Sequence, residues 1–191
     1  AEGLELMTAP LADYRAASVD TLIVPGSPHM ASVLDNSTNL VQWLRRVSGR
    51  TRRTTSVCSG AFLLAAAGLL DGKRATTHWL MFDMMNQRFP LVQIDRDAIF
   101  VQQGAVWTSA GVTAGIDLAL ALVEADCGHE VAMEVARELV VFLKRPGGQS
   151  QFSELLQAQT DDTATFDTLN LWIAAHLSHP NLTVETLAEQ A

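Results

Sequence analysis

A chain of 191 residues, 48% of them hydrophobic, is long enough for one full α/β domain and a small second unit. Its formal net charge of -8 argues against a phosphate-binding surface spread over the whole molecule, because such contacts need Lys and Arg. All 13 basic residues fall in 1–150, whereas 151–191 carries only acids: Glu154, Asp161, Asp162, Asp167, Glu185 and Glu189. Two cysteines in unlike contexts, Cys58 and Cys127, form no disulfide framework and point to a reducing, cytoplasmic setting. No apolar run reaches ~18 residues and no signal peptide is visible, so no membrane association is expected. The chain starts without Met and stops inside a helical pattern, as a piece of a longer protein would.

Asp20–Gly26 reads as a short buried strand ending in a turn, with the continuous apolar centre Leu22–Val24 that parallel strands show. Residues 37–47 read as a helix with Leu40, Val41, Leu44 and Val47 on one face. The basic stretch Arg50–Arg53 reads as a solvated connector into a strand over Thr54–Val57. Cys58-Ser-Gly60 then opens an apolar helix over Ala61–Leu70, closed by Asp71-Gly72. Lys73–Thr77 is expected as a strand leading to His78-Trp79, with a helix over Leu80–Gln87 behind it. Short strands follow at Val92–Asp95, Ile99–Gln102 and Val106–Ser109, the last turning at Ala110-Gly111. Two helices are expected over Val112–Glu124 and Gly128–Leu143. Strands alternating with helices at this spacing imply a mostly parallel sheet with helices on both faces.

Pro146–Gln151 breaks this pattern. A polar linker follows, then an amphipathic helix over Asp167–Leu177 and a turn at Ser178–Asn181. Thr183 is placed to N-cap a last helix, supported by Leu182 and Leu187 at staple spacing and by Glu185 in the first turn.

The most chemically suggestive stretch is Ser56-Val-Cys58-Ser-Gly60. A strand enters, one residue occupies the tight turn, and a helix leaves, which is the arrangement of a nucleophile elbow. The small neighbours Ser56 and Gly60 permit close backbone approach, and a helix N-terminus favours a thiolate. His78, 20 residues later, follows the next short strand and is placed to act with Cys58. Gly26, Ser59 and Gly111 are expected to line the same crevice. The amides of Gly26–His29 are candidate oxyanion donors. No orienting acid is evident: Asp83 reads as a surface carboxylate and Asp117 as structural. Cys127 and His129 lack further ligands for a metal, so neither a metal site nor a cofactor is expected.

Residues 56–79 and 108–123 resemble the ThiJ/PfpI family, a branch of the class I glutamine amidotransferase-like superfamily. Residues 141–152 resemble the junction in AraC-family regulators that carry this domain, and 171–191 resembles the opening of their DNA-binding half. The resemblance implies a flavodoxin-like, three-layer α/β sandwich over 1–150, lacking its first elements. A linker over 151–164 and a truncated helix-turn-helix domain over 165–191 would follow. It implies a transcriptional regulator that senses an unspecified small metabolite, forms a homodimer and binds DNA when full-length, with no DNA-contacting residue inside this chain. On that reading Cys58 and His78 match the family's cysteine and histidine but perform no turnover. The alternative is a hydratase or hydrolase acting through Cys58 and His78, akin to isocyanide hydratases. Enzymes of the family also place an acidic residue from the domain's start beside the cysteine, and this chain begins after that region.

Overall fold

The computed structural model describes residues 7–14, 19–145 and 148–149, and the separate residues 172, 173, 176, 183, 186 and 187. The chain divides into two compact units, 1–149 and 150–191. In the first, a single turn of 3-10 helix, Leu11–Asp13, precedes the strands β1 (Thr21–Val24), β2 (Arg53–Val57), β3 (Arg74–Ala75), β4 (Gln93–Ile94), β5 (Phe100–Gln103) and β6 (Val106–Ser109). Between and after them run α1 (Met30–Asn36), α2 (Thr38–Ser48), α3 (Ala61–Ala66), α4 (Phe82–Arg88), α5 (Ala114–Cys127) and α6 (His129–Glu138). The main sheet has the order β1-β2-β6-β5. The first three strands are parallel and β5 returns antiparallel to β6, while β3 and β4 form a separate parallel pair.

The register puts Val24 beside Ser56 and Ser56 beside Thr108, so Leu22, Val24, Thr54, Ser56, Val106 and Thr108 share one face. That face packs on the larger core, where Phe62, Leu64, Met30, Leu44, Leu70 and Met85 are fully buried. Each such large side chain contributes roughly 1.5–3 kcal/mol by leaving water. The opposite face carries Trp107 and Val57 against Leu118 and Leu122 of α5. The result is an α/β sandwich with apolar clusters on both sides of the sheet.

The boundaries depart from the sequence reading where local backbone closures and individual hydrogen bonds outvote periodicity. Helix α3 ends at Ala66 rather than Leu70, because Gly68 adopts a left-handed φ of 73°. The strand expected through Thr77 stops at Ala75, and Thr76 and Thr77 leave the ladder. Helix α4 begins only after a 3-10 turn at Trp79–Met81. Helix α1 lies in a stretch with no helical expectation. Helix α6 stops at Glu138 instead of reaching Leu143. Val140 takes φ 55°, its N–H donates to Arg137 O, and the Val141 N–H donates to Ala136 O. That is a Schellman closure with valine where glycine is usual.

The basic stretch before β2 is not simply solvated. Arg53 is only 8% exposed and makes paired hydrogen bonds to Asp126 at the end of α5. Arg52 joins Asp126 to Asp20. The hydrogen bonds from Arg52 and Arg53 hold the Asp126 carboxyl well below the usual carboxylate range. A buried guanidinium needs such a partner, and the pair fastens the amino end of β2 to the back of α5.

In the second unit, Trp172, Ile173 and His176 are helical, and the His176 ring stacks on Trp172 at 4.2 Å between centroids. Thr183 Oγ1 accepts from the Thr186 N–H at 3.3 Å and its carbonyl accepts from the Leu187 N–H, an N-cap arrangement. The linker and the remaining helix-turn-helix positions lie outside the described residues. Among the described residues, no helix is long and apolar enough to cross a membrane.

Candidate active site

Cys58 stands where β2 gives way to the 3-10 turn Cys58–Gly60 that leads into α3. Its φ is 56°, a left-handed conformation that costs an L-residue about 1–2 kcal/mol. Contacts from three segments hold it there. The Cys58 N–H donates to Ala110 O at 2.8 Å, and the Cys58 carbonyl accepts from the Thr77 hydroxyl at 2.9 Å. The same carbonyl accepts from the Ala61 N–H that closes the turn. Cys58 as a residue is half-buried.

The small residues around the elbow are there because backbones meet closely. A Cβ on Gly26 would lie 3.0 Å from the Cys58 Cβ and 2.9 Å from Ser59 Oγ. One on Gly60 would run into the carbonyls of Val24 and Pro25. Ser59 is buried, and its hydroxyl both donates to Ser27 O and accepts from the Ser27 N–H, each at 2.9 Å. It therefore pins the β1 loop against the elbow instead of presenting its hydroxyl to a crevice. The His29 N–H donates to Ser27 Oγ at 3.1 Å, so the 26–29 turn has spent two of the amides proposed for an oxyanion.

His78 is half-buried, and burial pushes its imidazole below the usual histidine value. Its Nδ1 accepts from the Leu80 N–H at 3.3 Å, which caps the following turn and assigns the neutral ring proton to Nε2. The ring stacks on Trp79, with centroids 5.8 Å apart, and a Cβ on Gly111 would lie 3.3 Å from Nε2. The Ala110-Gly111 turn thus touches the elbow through one residue and His78 through the next. Thr77, immediately before His78, bonds the elbow directly. Gly26 lies against Cys58 and Gly111 against His78, next to the carboxyl ends of β1, β2 and β6.

Neither acid considered for orienting His78 reaches it. Asp83 pairs with Arg96 at 2.9 Å on the surface, and Asp117 is buried against Arg145. His129 pairs with Glu124 at 2.7 Å. Sequence reasoning gave Thr77 no part in the site, and took Ser27 and Ala110 as turn residues beside the crevice without seeing that they fasten the elbow. Their one signal was small or hydroxyl residues next to predicted strand ends.

A parallel sheet with a strained cysteine at a strand-to-helix turn defines a cysteine-elbow α/β protein. The model of the DJ-1/PfpI family matches residues 3–125, and the chain belongs to that family. It is 37% identical over 121 residues to an isonitrile hydratase of Pseudomonas putida, a match spanning 63% of this chain and 51% of the hydratase. It is 38% identical over 107 residues to the HTH-type transcriptional regulator CdhR of Pseudomonas aeruginosa, spanning 56% of this chain and 32% of the regulator. A crystal structure of a ThiJ/PfpI family protein from Pseudomonas syringae superposes with a TM-score of 0.53 at 28% identity, covering 66% of this chain and 52% of that one. The match to the hydratase, spanning about half of that enzyme and joined to a formed cysteine elbow, overturns the expectation of a DNA-binding regulator without catalytic activity. The transcriptional reading rested on residues 141–191, most of which lie outside the described residues.

Proposed function

We propose that this chain carries a cysteine-dependent hydratase or hydrolase domain acting on a small molecule, with Cys58 as nucleophile and His78 as its proton-transfer partner. The observation that carries the reading is the left-handed Cys58, held from three sides at the carboxyl edge of a parallel sheet. Strain of this kind persists only where surrounding structure enforces it, and it is concentrated at functional sites. The likeness to an isonitrile hydratase makes an isonitrile the first substrate to consider.

On such a substrate Cys58 Sγ bonds to the terminal carbon, which also takes up one proton. Water then adds to that carbon as the carbon–sulfur bond breaks, giving an N-substituted formamide and the free cysteine. His78 hands on these protons once the Leu80 N–H releases Nδ1 and the ring proton moves there, which frees Nε2, the ring atom beside the Gly111 turn, to accept and return them. Cys58 has already committed its own N–H to Ala110, so the main-chain N–H groups of Gly26 and Ser59 are the donors best placed for developing negative charge. Gly26 and Gly111 border the bound molecule, and Ser59 fixes the loop that carries Gly26.

The test is incubation of the full chain with a simple alkyl isonitrile, following the N-alkylformamide by proton NMR. Formamide production above the buffer rate, abolished in Cys58→Ala, is the expected result. Equal production by the wild type and Cys58→Ala would sink the proposal.

A further inference from the structure

We infer that Gln149 is a positioning residue for His78, acting through Thr76 and Thr77; the catalytic part of this inference rests on the function proposed above. The two residues before His78 have no strand partner. Strand β3 pairs with β4 only over Arg74 and Ala75, and the last ladder bond is the Asp95 N–H donating to Ala75 O at 2.8 Å. From Thr76 onward the chain is held by side chains instead. The Thr76 N–H donates to the Thr108 hydroxyl of β6 at 2.8 Å, and the Thr77 hydroxyl donates to Cys58 O. The Thr76 hydroxyl also donates to Ala98 O at 3.3 Å, and on its remaining side it accepts from Gln149.

Gln149 is 7% exposed, and its carboxamide is fully used as a donor. Nε2 donates to Thr76 Oγ1 at 2.9 Å and to Ala98 O at 2.8 Å. Its main-chain N–H donates to Asp97 O at 2.7 Å. A side chain 73 residues away in sequence thereby ties the end of β3 to the loop ahead of β5. Burying a carboxamide is unfavourable unless its hydrogens are matched, and here both are. A surface cap needs no such arrangement. A clamp on the two unpaired residues that lead into His78 does. Without it the Thr76 hydroxyl loses its donor, and the imidazole keeps as its own contacts the Leu80 N–H, the stacking on Trp79 and the Gly111 turn.

The experiment uses the full chain labelled with 13C-histidine, titrated by NMR as wild type and as Gln149→Met, which keeps length and removes both donors. Trp79, the Leu80 N–H and the Gly111 turn against His78 are all uncharged, and burial alone lowers its titration. In the wild type His78 should titrate below an ordinary histidine. In Gln149→Met it should move up toward the ordinary value. Turnover should fall roughly tenfold in kcat with little change in KM, as small misplacements of a catalytic group do. An unmoved His78 and unchanged kcat in folded Gln149→Met would overturn the inference. If Gln149→Met does not fold, Thr76→Val removes the same bond from its other end, and an unmoved His78 there overturns it equally. Should the wild type hydrate no isonitrile, the catalytic proposal fails, while the His78 titration still decides the role of Gln149.

Discussion

Cys58 and Val140 share one backbone conformation, with φ 56° and 55°, and among the described residues they are the non-glycine positions at positive φ. Their surroundings differ completely. Cys58 is held by groups from distant segments, the Ala110 carbonyl and the Thr77 hydroxyl, and its loop is crowded by Gly26 and Ser59. Val140 is 90% exposed and held by local main-chain bonds to the helix it terminates, its own N–H donating to Arg137 O and the Val141 N–H to Ala136 O. Left-handed backbone alone does not mark a site. What separates the two is whether the strain is imposed by the tertiary fold, which can place a reactive atom, or by the local end of a helix, which cannot.

Glycine at the elbow tests that distinction most severely. Cys58→Gly removes the sulfur and relieves the left-handed strain together. Turnover of an isonitrile should fall by at least ~10³-fold, since the covalent route is gone. Stability to urea should rise by about 1 kcal/mol, the scale of the relieved strain. Loss of stability alongside loss of activity would mean that Cys58 is a packing residue in a strained place. The stability readout separates the two because it does not depend on any substrate.

Thr77→Val probes the long-range restraint with the thiol in place. The Cys58 carbonyl keeps its bond from Ala61 N–H, so the fold should lose only about 1 kcal/mol. Turnover should drop by roughly tenfold, because both the elbow and the residue before His78 are loosened. A variant that loses stability but keeps full kcat would show that the Thr77 bond supports the fold and not the site.

How much of this was legible in the sequence follows the same division between local and distant causes. The elbow was readable, because strand, cysteine, small residues and apolar helix lie within a dozen positions. The mostly parallel sheet was readable from apolar runs alternating with helical periodicity. Arg53 was not, because nothing near it says that Asp126 waits at the far end of α5. The bond that the Ser59 hydroxyl makes was hidden for the same reason: its partner, Ser27, lies 32 residues away, and a hydroxyl beside a nucleophile reads equally well as lining or as fastening. Gln149 sat in a Gly-rich stretch that looked like a boundary, and its burial depends on Thr76 and Ala98. The early end of α6 escaped because Leu139–Leu143 is apolar enough to continue a helix, while the closure uses main-chain bonds that any residue can make.

Val140→Gly is the smallest and cleanest test of the comparison. The helix end already has both Schellman bonds, and the valine side chain is almost wholly in water, so little packing is lost. Glycine removes the clash that a β-branched residue meets in this conformation, offset in part by its greater freedom in the unfolded chain. The net gain should be about 0.5–1 kcal/mol in urea unfolding, and kcat should not change. A gain in stability with unaltered turnover would establish that strain at the end of α6 is incidental, in contrast to strain at the elbow. A fall in kcat would mean that the segment after α6, which carries Arg145 onto the buried Asp117 of α5, transmits its position to the Gly111 turn and so to His78.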